Sequence, residues 1–250
     1  MNTIDRRPVL YTDLDDTLFQ TSRKMTEPAC ETRLGAIATN GHHSYMTADQ
    51  ARMLDWLQDA TRLIPVTARS TDALSRCQIP FHHWKVAANG AVILQPEGTP
   101  LADWQETVRG LSDAARVGLE VLNDITVTCN AEHAFQSVTR FRHWIVEEDG
   151  MPIYFCVKSN GDERWLDDIE DDLAQVAGAE FTHHRNGNNL SFTPVGISKQ
   201  RAVAHLDAVI GGDAMRFGMG DSLTDLPFMR SCHMMMIPPG SQIDTNIGSQ

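Results

Sequence analysis

The sequence predicts an α/β fold, in which a core of parallel strands and helices is interrupted by an inserted α+β segment. Two observations support this prediction. Short apolar runs alternate with helical patterns at both ends of the 250-residue chain, and such alternation is typical of a parallel sheet. In the middle, the pattern changes to paired strands with tight turns, which indicates an antiparallel unit. Both ends of the chain are therefore expected to build one core.

The first core elements are a strand, a helix, a strand and a two-stranded hairpin. Thr47 and Gln50 form a T-x-x-Q capping box at the start of the helix. Pro65 places the second strand near a sheet edge or bulge, and Asn89-Gly90 predicts the hairpin turn. In order, these elements are VLYTDL (9–14), TADQARMLDWLQDA (47–60), RLIPVTA (62–68) and WKVAANGAVIL (84–94).

The middle segment and the last quarter follow different patterns. The middle predicts helices at 101–122 and 162–178, a strand at DITVTCN (124–130), a hairpin at 141–159 that turns at Asp149-Gly150, and two strands within 181–196. The βα alternation then resumes with a helix at 198–210, a strand at 215–221, a helix at 222–230 and a strand at 233–239. This return to alternation places the last quarter in the core.

Composition excludes several classes of protein. The net charge of −12 argues against a nucleic-acid partner, which requires a basic face. Residues 95–190 hold 18 acids and 7 Lys/Arg, a net of −11, so the inserted segment differs in character from the core. No run approaches the ~20 apolar residues of a membrane span, and no signal stretch follows the N-terminus. Five scattered cysteines fit reduced thiols, so we expect a soluble, cytoplasmic protein without a membrane partner.

Polar residues follow the predicted core strands and open one late helix. They are Asp13 and Asp15 after the first strand, Thr67 after the second, Lys199 at the helix start, and Asp221 and Asp225 after the next strand. The carboxyl ends of parallel strands meet at one edge of the sheet, where ligands bind. We therefore expect these side chains to converge.

The two groups of acids indicate a metal site. Two unit charges ~4 Å apart repel by ~4 kcal/mol at an effective dielectric near 20, so several carboxylates in one crevice require a cation. Oxygen ligands without thiols select Mg²⁺ rather than zinc. Helix capping explains Asp221 alone but explains both groups together poorly. A calcium loop over 13–24 is excluded, because Leu18 and Lys24 replace the required glycine and glutamate.

Lys199 is an unfavourable residue for its position unless it binds an anion. It follows Ser198, a good N-cap, and so lies in the first turn of the helix. The interaction of a cation with the helix dipole is unfavourable there, by ~0.3–1 kcal/mol. A phosphate bound there would offset this cost, since helix N-termini favour anions. The Thr67 hydroxyl can donate to the same phosphoryl group.

These motifs resemble those of a known family. DLDDTL (13–18), VTAR (66–69), Lys199 and GDSLTD (220–225) resemble, in order, the four motifs of the haloacid dehalogenase (HAD) superfamily of phosphohydrolases. AANGAVI and the inserted segment are similar to the subgroup with an α/β cap, which includes Cof-type and sucrose- or trehalose-phosphate phosphatases. The resemblance implies a Rossmann-like parallel-sheet core (1–94 and 191–250) with an inserted α+β cap domain (95–190) that selects the substrate.

The resemblance also implies roles for individual residues. Asp13 would be the nucleophile that forms an aspartyl-phosphate, and Asp15 the acid and base. Thr67 and Lys199 would bind the phosphoryl oxygens. Mg²⁺ would be held by the Asp13 carboxylate, the Asp15 backbone carbonyl and Asp221, with Asp225 supporting the metal site through water or by orienting Lys199. The implied activity is Mg²⁺-dependent hydrolysis of a small phosphomonoester, sugar- or nucleoside-like. The candidate substrate contacts are Arg69, Asn89, His183, Arg185 and Asn188.

Three alternatives stay open at this point. A phosphotransferase or phosphomutase of the same superfamily shares the motifs, whereas a signalling receiver or a silent phosphate-binding module would not turn over a substrate. The segment 18–46 is long for its position and is predicted to form a flap over the site. The oligomeric state does not follow from the sequence.

Overall fold

The computed structural model describes residues 5–26, 32–132 and 139–247. Contacts divide the chain into two compact units, one of Met1–Trp104 with Lys199–Gln250 and one of Gln105–Ser198. The predicted α/β class, with a parallel core and an inserted unit, is confirmed. Within the described ranges, every helix is too short or too polar to cross a membrane.

The first part of the core unit follows the predicted order. Thr47 Oγ1 accepts from the Gln50 N–H at 3.2 Å and the Gln50 side chain accepts from the Thr47 N–H at 2.9 Å, which confirms the capping box. The elements are β1 (Val9–Thr12), β2 (Gln20–Thr21), β3 (Arg33–Ala36), β4 (Ser44–Met46), α1 (Ala48–Ala60), β5 (Arg62–Pro65), α2 (Thr71–Ser75), β6 (Lys85–Ala87) and β7 (Val92–Leu94).

The inserted unit is a four-stranded antiparallel sheet with helices. Its sheet has the order β10 (Phe181–Arg185), β11 (Leu190–Pro194), β9 (Met151–Ser159) and β8 (Phe141–Glu148), and a cluster of buried apolar side chains joins this sheet to the helices. The predicted inserted segment, 95–190, ends inside a strand, because a boundary at 190/191 separates Leu190 from the rest of Leu190–Pro194. This strand pairs on both sides within the inserted unit, which extends to Ser198. The elements are α3 (Ala102–Glu132), β8 (Phe141–Glu148), β9 (Met151–Ser159), α4 (Asp167–Ala177), β10 (Phe181–Arg185) and β11 (Leu190–Pro194).

The core sheet combines strands from both ends of the chain. The last elements are α5 (Lys199–Ile210), β12 (Arg216–Met219), α6 (Leu226–Met229), β13 (Met234–Met236) and α7 (Gln242–Ile247). The parallel sheet has the order β13-β12-β1-β5, and all four residues of β1 are fully buried. Because β1 lies between β12 and β5, the ends of β1 and β12, which come from opposite ends of the chain, are neighbours.

Pro65 occupies the position that its chemistry requires. The N–H groups of Arg62 and Val66 donate toward β1, to Pro8 O and Thr12 O. N–H directions alternate along a strand, so residue 65 has its nitrogen on the side away from β1. Since β5 ends the four-stranded sheet, the missing N–H breaks no ladder bond with β1. Pro65 thus lies on the outer strand of the four-stranded sheet, in agreement with the predicted position near an edge or bulge, and pairing toward β6 begins only at the next residue, through the bridge between Val66 and Val86.

The strand predicted at 124–130 is wrong, because these residues continue α3. The β-branched residues there favour a strand locally. However, Ile125 and Cys129 pack against the apolar cluster of the inserted unit at helical spacing. The Thr126 hydroxyl donates to Leu122 O at 3.1 Å, and the Thr128 hydroxyl to Asp124 O at 3.0 Å. Burial at helical spacing therefore outweighs local propensity, and the two threonine hydroxyls find their partners inside the helix.

Gly118 in α3 allows a close approach rather than interrupting the helix. A Cβ at this position would lie 2.8 Å from two ring carbons of Phe181, on β10. A Cβ at Gly110, in the same helix, would meet nothing within 4 Å. Packing against Phe181 therefore requires glycine at position 118, whereas no neighbour requires glycine at position 110.

Candidate active site

Three core elements bring acids from both ends of the chain to one place. Asp13 directly follows β1, and its N–H donates to Met219 O, the last residue of β12, at 2.8 Å. Asp221 lies just beyond Met219, and Asp225 precedes α6. Because β1 and β12 are adjacent and parallel, their ends place Asp13 beside Asp221.

The acids form a buried cluster. Carboxylate oxygens of Asp13, Asp221 and Asp225 lie within 4.8 Å of one another, and all three side chains are buried. Lys199 Nζ donates to Asp13 Oδ1 at 2.6 Å and to Asp225 Oδ1 at 2.7 Å. Three carboxylates and one ammonium leave an excess of two negative charges when all are ionised.

The pKa values reflect this shortage of positive charge. Burial raises the pKa of Asp13 well above its usual value; Lys199 opposes the rise, whereas Asp225 and Asp15 add to it. Burial, with the charges of Asp225 and Asp16, raises the pKa of Asp221 to about 6. Burial by itself would lower the pKa of Lys199, but the carboxylates of Asp13 and Asp225 raise it overall. Lys199 is therefore a permanent cation here, and the carboxylates lack a second one.

The composition of the cluster fits a hard divalent cation. Its donors are carboxylate oxygens alone, without sulfur or imidazole, which is the set that Mg²⁺ prefers. The uncompensated charge and the raised carboxylate pKa values would both be relieved by a dication in contact with these oxygens. Asp13, Asp221 and Asp225 are the side chains able to hold it.

Two hydroxyl residues that the motifs did not single out belong to the same cluster. Thr17 Oγ1 lies 3.4 Å from Asp13 Oδ2 and 3.3 Å from Asp221 Oδ1. The Ser222 N–H and hydroxyl donate to Asp225 Oδ2 at 3.0 and 2.7 Å. With Lys199 on its other oxygen, Asp225 is held on both sides. The sequence signal for these two residues is that each hydroxyl lies inside an acidic motif, Thr17 in DLDDTL and Ser222 in GDSLTD.

Asp15 is directed to a different partner. Arg69 Nε and Nη2 donate to its two carboxylate oxygens, each at 2.7 Å. Asp16 has φ of 60°, the left-handed region, and its N–H donates to Phe19 O at 2.7 Å, which closes a tight turn after Asp15. The neighbouring acids Asp13 and Asp15 therefore serve two different groups of contacts.

Thr67 and Asn89 lie together beyond the end of β5. The Thr67 side chain is buried, and its hydroxyl oxygen accepts from the Arg69 N–H at 3.1 Å. The Asn89 N–H donates to Thr67 O at 3.1 Å, and Asn89 has a φ of 56°. This backbone turn holds Thr67 through its carbonyl, two residues before Arg69, whose carbonyl accepts from the Ala88 N–H.

The segment 18–46 contains a small antiparallel sheet of order β2-β4-β3. Ser44, on β4, is buried, and its Oγ accepts from Arg69 Nη2 at 3.3 Å. The sheet is thus connected to the side chain that holds Asp15. The flap function stays a prediction, and residues 27–31 of this segment lie outside the described ones.

The predicted substrate residues of the inserted unit all have partners within it. Arg185 contacts Asp167 and donates to Glu170 at 2.8 Å. His183 stacks on Phe192, with ring centroids 5.7 Å apart. The Asn188 side chain accepts from the Ser159 N–H at 2.7 Å and donates to Ser159 O at 2.9 Å. Their role in substrate binding stays a prediction.

Solved structures share this architecture over nearly the whole chain. The sucrose-phosphatase of Synechocystis sp. PCC6803, in complex with sucrose and phosphate, aligns with a TM-score of 0.58 at 14% identity, over 98% of this chain and 96% of that one. This chain has the fold of HAD phosphatases. The predicted resemblance, an α/β-capped fold of the sucrose-phosphatase type, is thereby confirmed at the level of the fold.

Two further structures agree. The C-terminal domain of trehalose-6-phosphate phosphatase from C. albicans aligns with a TM-score of 0.53 at 15% identity, over 90% of this chain and 73% of that one. A haloacid dehalogenase-like hydrolase from B. subtilis aligns with a TM-score of 0.52 at 15% identity, over 95% and 91%. No protein-family profile matches the sequence, and no curated protein matches it significantly.

Proposed function

We propose that this protein is a Mg²⁺-dependent phosphatase that hydrolyses a small phosphomonoester through an aspartyl-phosphate intermediate. The observation that carries the proposal is the contact of Lys199 with Asp13 at 2.6 Å and with Asp225 at 2.7 Å, beside Asp221. A buried cation adjoining a buried nucleophile is the arrangement that attack on a phosphate dianion requires.

Asp13 is the proposed nucleophile. Its Oδ atom attacks phosphorus, the bond from phosphorus to the ester oxygen breaks, and Asp15 gives the leaving alcohol its proton. Water then attacks the phosphorus of the aspartyl-phosphate and gives a proton to Asp15. The bond to Asp13 breaks, and inorganic phosphate and the free Asp13 carboxylate are the products. The sum is one ester and one water converted to one alcohol and one phosphate.

The other residues of the site neutralise and orient the phosphoryl group. Lys199 and Thr67 bind its oxygens in the proposed complex. Bound Mg²⁺ supplies charge neutralisation and orientation for a reaction between like charges. Its proposed ligands are Asp13, the Asp15 backbone carbonyl, Asp221 and Asp225. Asp225 also holds Lys199 in place through the 2.7 Å contact.

The proposed substrate is a sugar- or nucleoside-like monophosphate. The solved structures with this fold include a sucrose-phosphatase and a trehalose-6-phosphate phosphatase, which supports a sugar phosphate as the first class to test. The acidic inserted unit argues against a highly anionic substrate. We propose Asn89, His183, Arg185 and Asn188 as the substrate contacts. A cytoplasmic location is also proposed, supported by the four cysteines of the described ranges, which form no disulfide and so fit a reducing compartment.

One assay tests the reaction. Purified protein is incubated with p-nitrophenyl phosphate and Mg²⁺, and wild type is compared with Asp13→Asn. Asp55→Asn is the control, because it changes an exposed acid on α1. We expect phosphate release by wild type and Asp55→Asn and a loss of at least ~10³-fold in Asp13→Asn. Equal activity of wild type and Asp13→Asn would remove Asp13 from the mechanism.

The same preparation separates the alternatives. Labelling by acetyl phosphate without turnover would indicate a receiver. Isomerisation of a sugar phosphate without phosphate release would indicate a phosphomutase. A screen of sugar and nucleoside monophosphates under these conditions then identifies the substrate class.

A further inference from the structure

The contact between Arg69 and Asp15 joins two parts of the proposed site. Arg69 Nε and Nη2 each lie 2.7 Å from one oxygen of the Asp15 carboxylate, so the pair is bidentate. Bidentate guanidinium–carboxylate pairs fix orientation as well as charge. The Asp15 side chain is partly exposed, with 44% of its surface accessible, whereas Arg69 retains 17%. Arg69 is therefore the anchored partner of the pair, and Asp15 is the accessible one.

Besides Asp15, two neighbours hold the guanidinium in place, and two more fix the Arg69 backbone. Ser44 Oγ accepts from Nη2 at 3.3 Å, and the guanidinium carbon lies 5.0 Å from the centre of the Phe19 ring. The Arg69 backbone is fixed by its N–H, which donates to Thr67 Oγ1, and by its carbonyl, which accepts from the Ala88 N–H at 2.7 Å. A guanidinium restrained at both ends loses little freedom when it binds a carboxylate.

From these contacts we infer that Arg69 is a positioning residue for Asp15 in the second half of the reaction, when water attacks the aspartyl-phosphate. This inference rests on the proposed function. A carboxylate that accepts from a guanidinium with both oxygens still has free lone pairs and can take a proton from water. The observed pair is thus the form of Asp15 that the hydrolytic half-reaction needs.

The inference gives Arg69 a role different from the predicted contact with substrate. Two of its nitrogen donors are engaged by Asp15, and one of these also reaches Ser44. It also gives the sheet of β2, β4 and β3 a function, because Ser44 and the adjoining Phe19 support the guanidinium. Residues inserted after the first motif would then orient the proton acceptor.

The test separates the two half-reactions kinetically. Wild type, Arg69→Gln and Arg69→Lys are mixed with p-nitrophenyl phosphate and Mg²⁺, and p-nitrophenolate is followed from the millisecond range. For this substrate kcat/KM reports formation of the aspartyl-phosphate, and the good leaving group needs little help from an acid. Slow hydrolysis of the intermediate therefore lowers kcat and KM by the same factor and leaves kcat/KM unchanged.

We expect Arg69→Gln to lower kcat by about 10- to 100-fold while kcat/KM stays within about threefold. A burst of p-nitrophenolate equal to the enzyme concentration should precede the slow steady state. Arg69→Lys keeps the charge without the paired donors, and its kcat should lie between the two. Arg33→Gln is the matched control, since Arg33 lies on the same small sheet and pairs with exposed Asp55 at 2.8 Å; we expect wild-type kinetics.

Each other outcome overturns the inference. A raised KM with unchanged kcat would make Arg69 a substrate contact. Equal losses in kcat and kcat/KM without a burst, or no change at all, would leave it without a role in hydrolysis of the intermediate. Wild type without Asp13-dependent turnover would instead overturn the proposed function, and the Asp13→Asn comparison reveals this independently.

Discussion

Lys199 shows how a single residue connects local cost with function. It begins α5, where the helix dipole disfavours a cation, and only 5% of its side chain is accessible. Two carboxylates at 2.6 and 2.7 Å offset both costs. Removing one partner of a buried ion pair leaves uncompensated charge and is far more costly than losing a surface pair.

Replacing Lys199 should therefore affect both activity and stability. For Lys199→Met we expect phosphatase activity to fall by about 10²- to 10³-fold at saturating Mg²⁺, because the phosphoryl charge loses its buried counter-charge. The rate of p-nitrophenyl phosphate hydrolysis measures this. Lys85→Met, which changes a half-buried lysine on β6, is the control and should retain activity. Activity of Lys199→Met within threefold of wild type would contradict the role given to this lysine.

Residue types at strand ends were predictable, but their pairing was not. Asp13 and Asp221 are predictable because the carboxyl ends of parallel strands meet at one edge of the sheet, and Lys199 because a cation in the first turn of a helix is locally unfavourable. The partner of Asp15 depends on where the Arg69 side chain extends, and no spacing rule determines that. Ser44 was missed for the same reason, since nothing in the run SYM distinguishes a hydroxyl that supports a guanidinium from an ordinary strand residue.

At the scale of elements, α3 shows packing outweighing propensity. Gly118 costs helix stability, yet the ring of Phe181 occupies the space where a Cβ would project. Gly110 carries the same helical cost without a neighbour within 4 Å. The two glycines therefore allow the cost of packing to be compared with the gain in helix propensity within one helix.

Alanine at these two positions should have opposite effects. Gly110→Ala should raise the free energy of unfolding by about 0.5–1 kcal/mol through helix propensity. Gly118→Ala gains the same amount but forces Phe181 to move, so it should be less stable than Gly110→Ala by about 1–3 kcal/mol. Urea unfolding followed by circular dichroism measures the difference. Equal stabilities would show that the Phe181 ring moves without cost.

Elements with local signals were predicted, whereas the one set by tertiary packing was not. The capping box at Thr47 and the turn at Asp149-Gly150 depend on neighbours in sequence, so short patterns sufficed. Residues 124–130 have strand-forming side chains, and their helical state depends on contacts with the apolar cluster of the inserted unit. Such contacts have no signature within a seven-residue window.

At the scale of the whole molecule, the acidic composition and the site have a common consequence. The chain carries a net charge of −12, and three of its acids are buried together with one lysine. A cation that binds the folded protein and not the unfolded chain stabilises it by mass action. The metal is therefore expected to act on stability as well as on turnover.

Thermal unfolding measures this effect. After treatment with EDTA, addition of Mg²⁺ should raise the Tm of wild type, with ~2.7 kcal/mol of stabilisation at a hundredfold excess over Kd. Asp221→Asn should lose most of the shift, whereas Asp55→Asn should keep it. An equal shift in Asp221→Asn would indicate that Mg²⁺ acts at another place or through general screening.

The position of Ser198 and Lys199 limits how this architecture can be re-engineered. The inserted unit ends at Ser198, and the very next residue is the ammonium between Asp13 and Asp225. Adding or deleting one residue at that junction would turn the start of α5 by about 100°. The Lys199 ammonium would then no longer lie between the carboxylates of Asp13 and Asp225. A different inserted domain would therefore have to keep the number of residues at the junction of Ser198 and Lys199 unchanged. The other junction, between Trp104 and Gln105, lies inside the long helix α3 and has no proposed catalytic residue next to it in sequence.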